Sequence, residues 1–75
     1  MKFIYTRHAR LRIRQRGLST RQIEATATSP DRTTVTFRGR VMASKGFGRH
    51  VLEVVYRDVD DGVVIITAYW LEEGD

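Results

Sequence analysis

The sequence predicts an α+β domain in which two N-terminal helices pack on a three- to four-stranded antiparallel meander. Three observations carry this: a helical spacing of apolar residues before Pro30, a change to alternation after it, and helix-start signals at Thr6 and Ser19. Seventy-five residues make one such domain over residues 1–75, with room for one core and one site.

After the short apolar stretch Phe3-Ile4-Tyr5, Thr6 is placed to cap a helix from Arg7 to Arg16, and Gly17 stands where a helix turns left-handed and stops. The next start is better marked. Ser19 and Gln22 form an S-x-x-Q capping box and Leu18 with Ile23 a hydrophobic staple, so a second helix spans Thr20 to Thr28 and ends before Pro30. Alternating segments follow at Thr33 to Phe37, Val41 to Ser44, His50 to Arg57 and Val63 to Leu71. Gly39, the Gly46-Phe47-Gly48 segment and Asp60-Asp61-Gly62 read as the hairpin turns between them. The last strand is apolar on both faces apart from Thr67 and belongs in the centre, with Phe3 to Tyr5 as a candidate extra edge strand.

Composition narrows the chemistry. No cysteine is present, which removes disulfides, thiolate catalysis and Cys-containing zinc motifs and fits a reducing cytoplasm. The longest aliphatic run, Val63 to Ile66, is far too short to span a membrane, and the basic N-terminus lacks the apolar core of a signal peptide. A soluble, cytoplasmic protein without a membrane partner is expected. Only two histidines occur and neither has paired carboxylates nearby, so no metal or other cofactor is expected. Asp58, Asp60 and Asp61 are spaced too closely for a calcium loop and suit a hairpin turn, and no G-x-S-x-G elbow occurs.

Charge is distributed unevenly. Residues 1–50 carry 12 basic and 2 acidic side chains, residues 51–75 carry 1 and 7, so a net charge of +4 conceals a dipolar chain. Eleven of the 13 cations are Arg, and Arg7, Arg10, Arg12, Arg14 and Arg16 fall within ten residues. Arg suits bidentate phosphate binding, which points to a nucleic acid; a solvated helix face would have the same composition.

Helical geometry sorts these arginines. Stepping about 100° per residue from His8, Arg12 falls at about 40° and Arg16 at about 80°, beside Ala9 and Ile13. If Ala9 and Ile13 dock on the sheet, His8, Arg12 and Arg16 line the seam between helix and sheet. Arg7, Arg10 and Arg14 then face solvent on the opposite side, where Arg10 and Arg14 are available to nucleic-acid phosphates. A neutral imidazole beside guanidinium groups is suited to metal-independent RNA cleavage, with His8 moving protons and the arginines stabilising a phosphorane. The competing expectation is that Arg12 and Arg16 pair with Glu53 or other acids at the helix-sheet boundary and His8 merely packs. Lys45 and Arg49, with Phe47 between two glycines, could clamp a phosphate and stack a base or simply solubilise a turn. Thr67 and Tyr69 share a face of the last strand, where Tyr69 could reach the site or pack in the core.

The segments H-A-R-L-R-I-R-Q-R-G-L-S at 8–19, V-L-E-V-V-Y at 51–56 and I-I-T-A-Y at 65–69 resemble a family of small bacterial proteins of unknown function. That family is grouped with the RelE/ParE/BrnT-like toxins, and His8, Arg12, Arg16, Gly17, Thr67 and Tyr69 fit its pattern. The resemblance implies a RelE-like fold. It also implies a toxin-like, metal-independent endoribonuclease of a type II toxin-antitoxin system, with RNA, ribosome-bound mRNA included, as substrate. On this reading His8, Arg12 and Arg16 act on the scissile phosphate with Thr67 and Tyr69 beside it, Lys45 and Arg49 hold flanking phosphates, and an antitoxin encoded next to the gene is the protein partner. Two other readings stay open: a non-catalytic basic module that binds nucleic acid or an acidic protein, and an interaction protein that pairs through an open sheet edge.

Overall fold

The computed structural model describes residues 1–71. Strand β1 (Lys2–Tyr5) leads into helices α1 (Arg7–Arg16) and α2 (Thr20–Thr28), and strands β2 (Arg32–Val35), β3 (Arg40–Phe47), β4 (His50–Val59) and β5 (Gly62–Leu71) follow. Both helices lie on one face of a single sheet of order β1-β5-β4-β3-β2.

Local chemistry sets the helix limits. The Thr6 hydroxyl accepts the Ala9 N–H at 3.0 Å, and Gly17 ends α1 at φ 61°, ψ 39°, with the Leu18 N–H closing back on the Ile13 carbonyl at 3.0 Å. Ser19 accepts the Gln22 N–H at 3.2 Å, and the staple residues Leu18 and Ile23 are both buried. Thr6 does more than cap. Its N–H donates to the Ile65 carbonyl and its hydroxyl to the Ile66 carbonyl, each at 3.0 Å, which fastens the start of α1 to β5.

The sheet departs from the expected three- to four-stranded antiparallel meander. It has five strands and is mixed, because Lys2 to Tyr5 pairs in parallel with Gly62 to Ile65. The helical crossover carries the chain from one sheet edge to the other, and the antiparallel β2–β5 meander then returns to the first edge, running in the direction of β1. Gly62 permits this approach: a Cβ there would lie 2.0 Å from the Lys2 carbonyl oxygen.

Two turns also differ from expectation. The strand predicted at Thr33 to Phe37 stops at Val35, because Arg38 and Gly39 take left-handed φ values of 66° and 72° and tighten the connection into a 3-10 turn. Gly46 and Phe47 belong to β3, leaving Gly48 and Arg49 as a two-residue hairpin turn.

A bulge opposite Val55 and Tyr56 shapes the rest. Tyr56 pairs with Ile65 and Val55 with Thr67, so Ile66 is the extra residue. The alternation of β5 therefore reverses at Ile66. Ala68 and Trp70 join Val63 and Ile65 on the helix-covered face, while Thr67 and Tyr69 lie on the uncovered one. Beneath the helices, Ala9 and Ile23 pack with Ala43, Leu52, Val54, Ile65 and Ala68, and Thr26 is buried with its hydroxyl donating to the Gln22 carbonyl at 2.8 Å.

Candidate functional site

With Ala9 docked in the core, the α1 stripe beside it points at the part of β5 beyond the end of β1. There His8, Arg12 and Arg16 meet Thr67, Tyr69 and Trp70 around a cleft of about 400 Å³. Three features position it: Thr6, which ties α1 to β5; the shortness of β1, which among the described residues leaves Ile66 to Leu71 without a strand partner on that side; and the bulge, which turns Trp70 toward the helices.

Within the cleft, the Arg12 Nε–H donates to His8 Nε2 at 3.5 Å, one helical turn away. As the acceptor of this bond, Nε2 is turned toward the Arg12 guanidinium. Arg16 is exposed. Glu53, the alternative partner expected for the two arginines, instead accepts the hydroxyl of Tyr69, its cross-strand neighbour on the uncovered face. Burial, with the Glu53 hydrogen bond and charge adding to it, pushes the Tyr69 phenol up to about 12. Tyr69 thus stays protonated near neutrality, and its hydroxyl is directed at β4.

The remaining sequence-predicted residues lie elsewhere. Arg10 and Arg14 are exposed along the outer side of α1, bordering with Arg7, His8 and Leu11 a groove of about 600 Å³. All five belong to one helix, so this is a charged helix surface that His8 shares with the cleft. Lys45 is held away from the cleft: its Nζ donates to the Ser29 carbonyl at 2.7 Å, while the Gly46 N–H donates to Asp31 Oδ2 at 2.8 Å. The two bonds fasten β3 to the end of α2, so the segment expected to clamp a phosphate has a structural role at Lys45 and Gly46. Arg49 is exposed in the turn.

Sequence reasoning missed Trp70. The indole meets Phe47 and His50 edge to face, with ring centroids 6.2 Å and 5.9 Å apart. Only the bulge at Ile66 brings this side chain under α1, and no local residue pattern announces it. Among the described residues no group of three or more His, Asp or Glu side chains is arranged to hold a metal ion, and no helix is long and apolar enough to cross a membrane.

The family model for a domain of unknown function, DUF4258, matches residues 5–70, a span that contains every cleft residue. The chain belongs to this family. The DUF4258 match carries no activity and no tie to the RelE, ParE or BrnT toxins. No curated protein and no solved structure matches the chain.

Proposed function

We propose that this DUF4258 domain is a toxin-like, metal-independent endoribonuclease of RelE-like fold, acting in the cytoplasm and held in check by an antitoxin encoded beside it. The observation that supports the reading is the meeting of His8, Arg12 and Arg16 in one open cleft, with Glu53 engaged by Tyr69.

The chemistry needs few parts. A phosphate entering the cleft competes with His8 for the Arg12 guanidinium, and Arg12 and Arg16 then share the phosphate charge. Release of the Arg12 hydrogen bond exposes the His8 Nε2 lone pair, which takes the proton of the adjacent 2′-hydroxyl. The 2′-oxygen attacks phosphorus, the P–O5′ bond breaks, and the departing O5′ takes a proton from water in the open cleft. The products are a 2′,3′-cyclic phosphate and a 5′-hydroxyl. Arg10, Arg14 and Arg49 are available for flanking phosphates; Lys45 serves the fold.

A second reading is favoured by the same two hydrogen bonds. With Nε2 engaged by Arg12 and the Tyr69 hydroxyl by Glu53, the resting cleft presents its arginines while neither of these two side chains is free to exchange a proton. A non-catalytic basic module binding nucleic acid or an acidic protein would use it in that state. Incubation of RNA with the protein alone in EDTA, and with ribosomes in magnesium buffer, separates the readings: cleavage products ending in cyclic phosphate under either condition support the nuclease, and intact RNA under both contradicts it.

A further inference from the structure

Trp70 is the only tryptophan of the chain, and it lies on the helix-covered face of the sheet, lining the cleft with His8, Arg12 and Arg16. Its half-buried indole is steadied by the edge-to-face contacts of Phe47 and His50, which come from the β3–β4 hairpin. On its other flank β5 faces α1, from which Arg12 and Arg16 reach the cleft. A ring held in place costs little further ordering when a flat ligand stacks on it. Cations beside an aromatic surface are the pairing that single-stranded nucleic acids use, with phosphates on the charges and a base on the ring.

We infer that Trp70 is a base-stacking subsite, so that the cleft selects unpaired nucleotides and excludes duplex, whose bases are stacked on one another. This inference rests on the proposed RNA-binding role of the cleft and adds to it the substrate class, single strands, and the residue that reads it. Stacking requires no hydrogen bond to a base edge, and sequence preference is therefore weak.

The single tryptophan makes the test direct. A hexamer of 2′-O-methyluridine lacks the nucleophilic hydroxyl and remains intact during a titration. Its binding is followed at low salt by anisotropy of a 3′-fluorophore on the hexamer and, separately, by intrinsic fluorescence with an unlabelled hexamer. A hairpin duplex of matched charge serves as competitor. The expected result is binding accompanied by quenching of Trp70, a loss of about 10-fold or more in affinity for Trp70→Leu, retention of most affinity for Trp70→Phe, and weak competition by the duplex. Binding without quenching, or Trp70→Leu affinity equal to that of the native chain, overturns the stacking subsite and leaves the RNA-binding role standing. Absence of any anisotropy change overturns both. If Trp70→Leu fails to fold by circular dichroism, quenching in the native chain together with the Trp70→Phe affinity decides.

Discussion

Arg12 and His8 are joined across one turn of α1, the guanidinium Nε–H donating to imidazole Nε2 at 3.5 Å. The bond is at the long limit for a hydrogen bond and lies on the exposed side of the helix, so a phosphate competes with it readily. The same event that neutralises the substrate's charge thereby releases the lone pair needed to take a proton. A resting cleft with a masked base and a substrate that unmasks it is the central feature of the proposed chemistry.

Arg12 and Arg16 should each contribute to the salt dependence of RNA binding. For a single strand the log–log slope is roughly −0.7 per phosphate contacted, so Arg12→Ala or Arg16→Ala should make it shallower by about 0.7. Lys45→Ala should leave the slope nearly unchanged and lower the melting temperature instead, because its ammonium holds the Ser29 carbonyl. Titrations between 50 mM and 200 mM salt would measure this; a Lys45→Ala slope change equal to that of Arg12→Ala would return Lys45 to the binding surface.

The two helix caps should separate stability from function. Ser19→Ala removes one cap bond and should cost about 1 kcal/mol. Thr6→Ala removes a cap bond and the bond to the Ile66 carbonyl, for about 2 kcal/mol in total. Thermal unfolding should show the larger drop for Thr6→Ala, and Thr6→Ser should recover most of it. At a temperature where both variants are folded, only Thr6→Ala should weaken RNA binding, since Thr6 sets α1 against β5. Equal effects of the two on binding would contradict that role.

The three tyrosines give a pH signature. Burial raises the phenol of each; Glu24 adds to the effect at Tyr5, Asp58 at Tyr56 and Glu53 at Tyr69, which reaches about 12. A phenol raised in the folded state contributes stability that is fully present below its unfolded value near 10 and is lost as pH rises through the folded value. Stability should therefore fall between pH 10 and about 12. Absorbance at 295 nm should show no tyrosine ionising at its ordinary value in the folded protein, and Glu53→Gln should bring the Tyr69 transition down. A titration curve that Glu53→Gln leaves unchanged would contradict the Tyr69–Glu53 pairing.

Features decided within a few residues were legible in the sequence: both helices, with their caps at Thr6 and Ser19 and the left-handed stop at Gly17. The angular sorting of α1 also carried through, because docking Ala9 leaves one stripe for His8, Arg12 and Arg16. Features decided by distant strands were not legible. Three residues, Phe3 to Tyr5, state no preference between parallel and antiparallel pairing, and only the return of β5 to that edge settles it. The bulge at Ile66 is a matter of register between β4 and β5, and with it goes the placement of Trp70. Lys45 and Gly46 looked like a phosphate clamp because their partners, Ser29 and Asp31, lie some fifteen residues away in the chain.

The most direct test of the unmasked-base account is single-turnover cleavage of a labelled RNA, in EDTA without ribosomes and in magnesium buffer with them, by the native chain and by His8→Ala. The account predicts cleavage by the native chain to a 2′,3′-cyclic phosphate and a fall of about 10²-fold or more for His8→Ala, with RNA affinity nearly preserved. Cleavage that persists at the native rate in His8→Ala, or RNA that stays intact with the native chain, would contradict it.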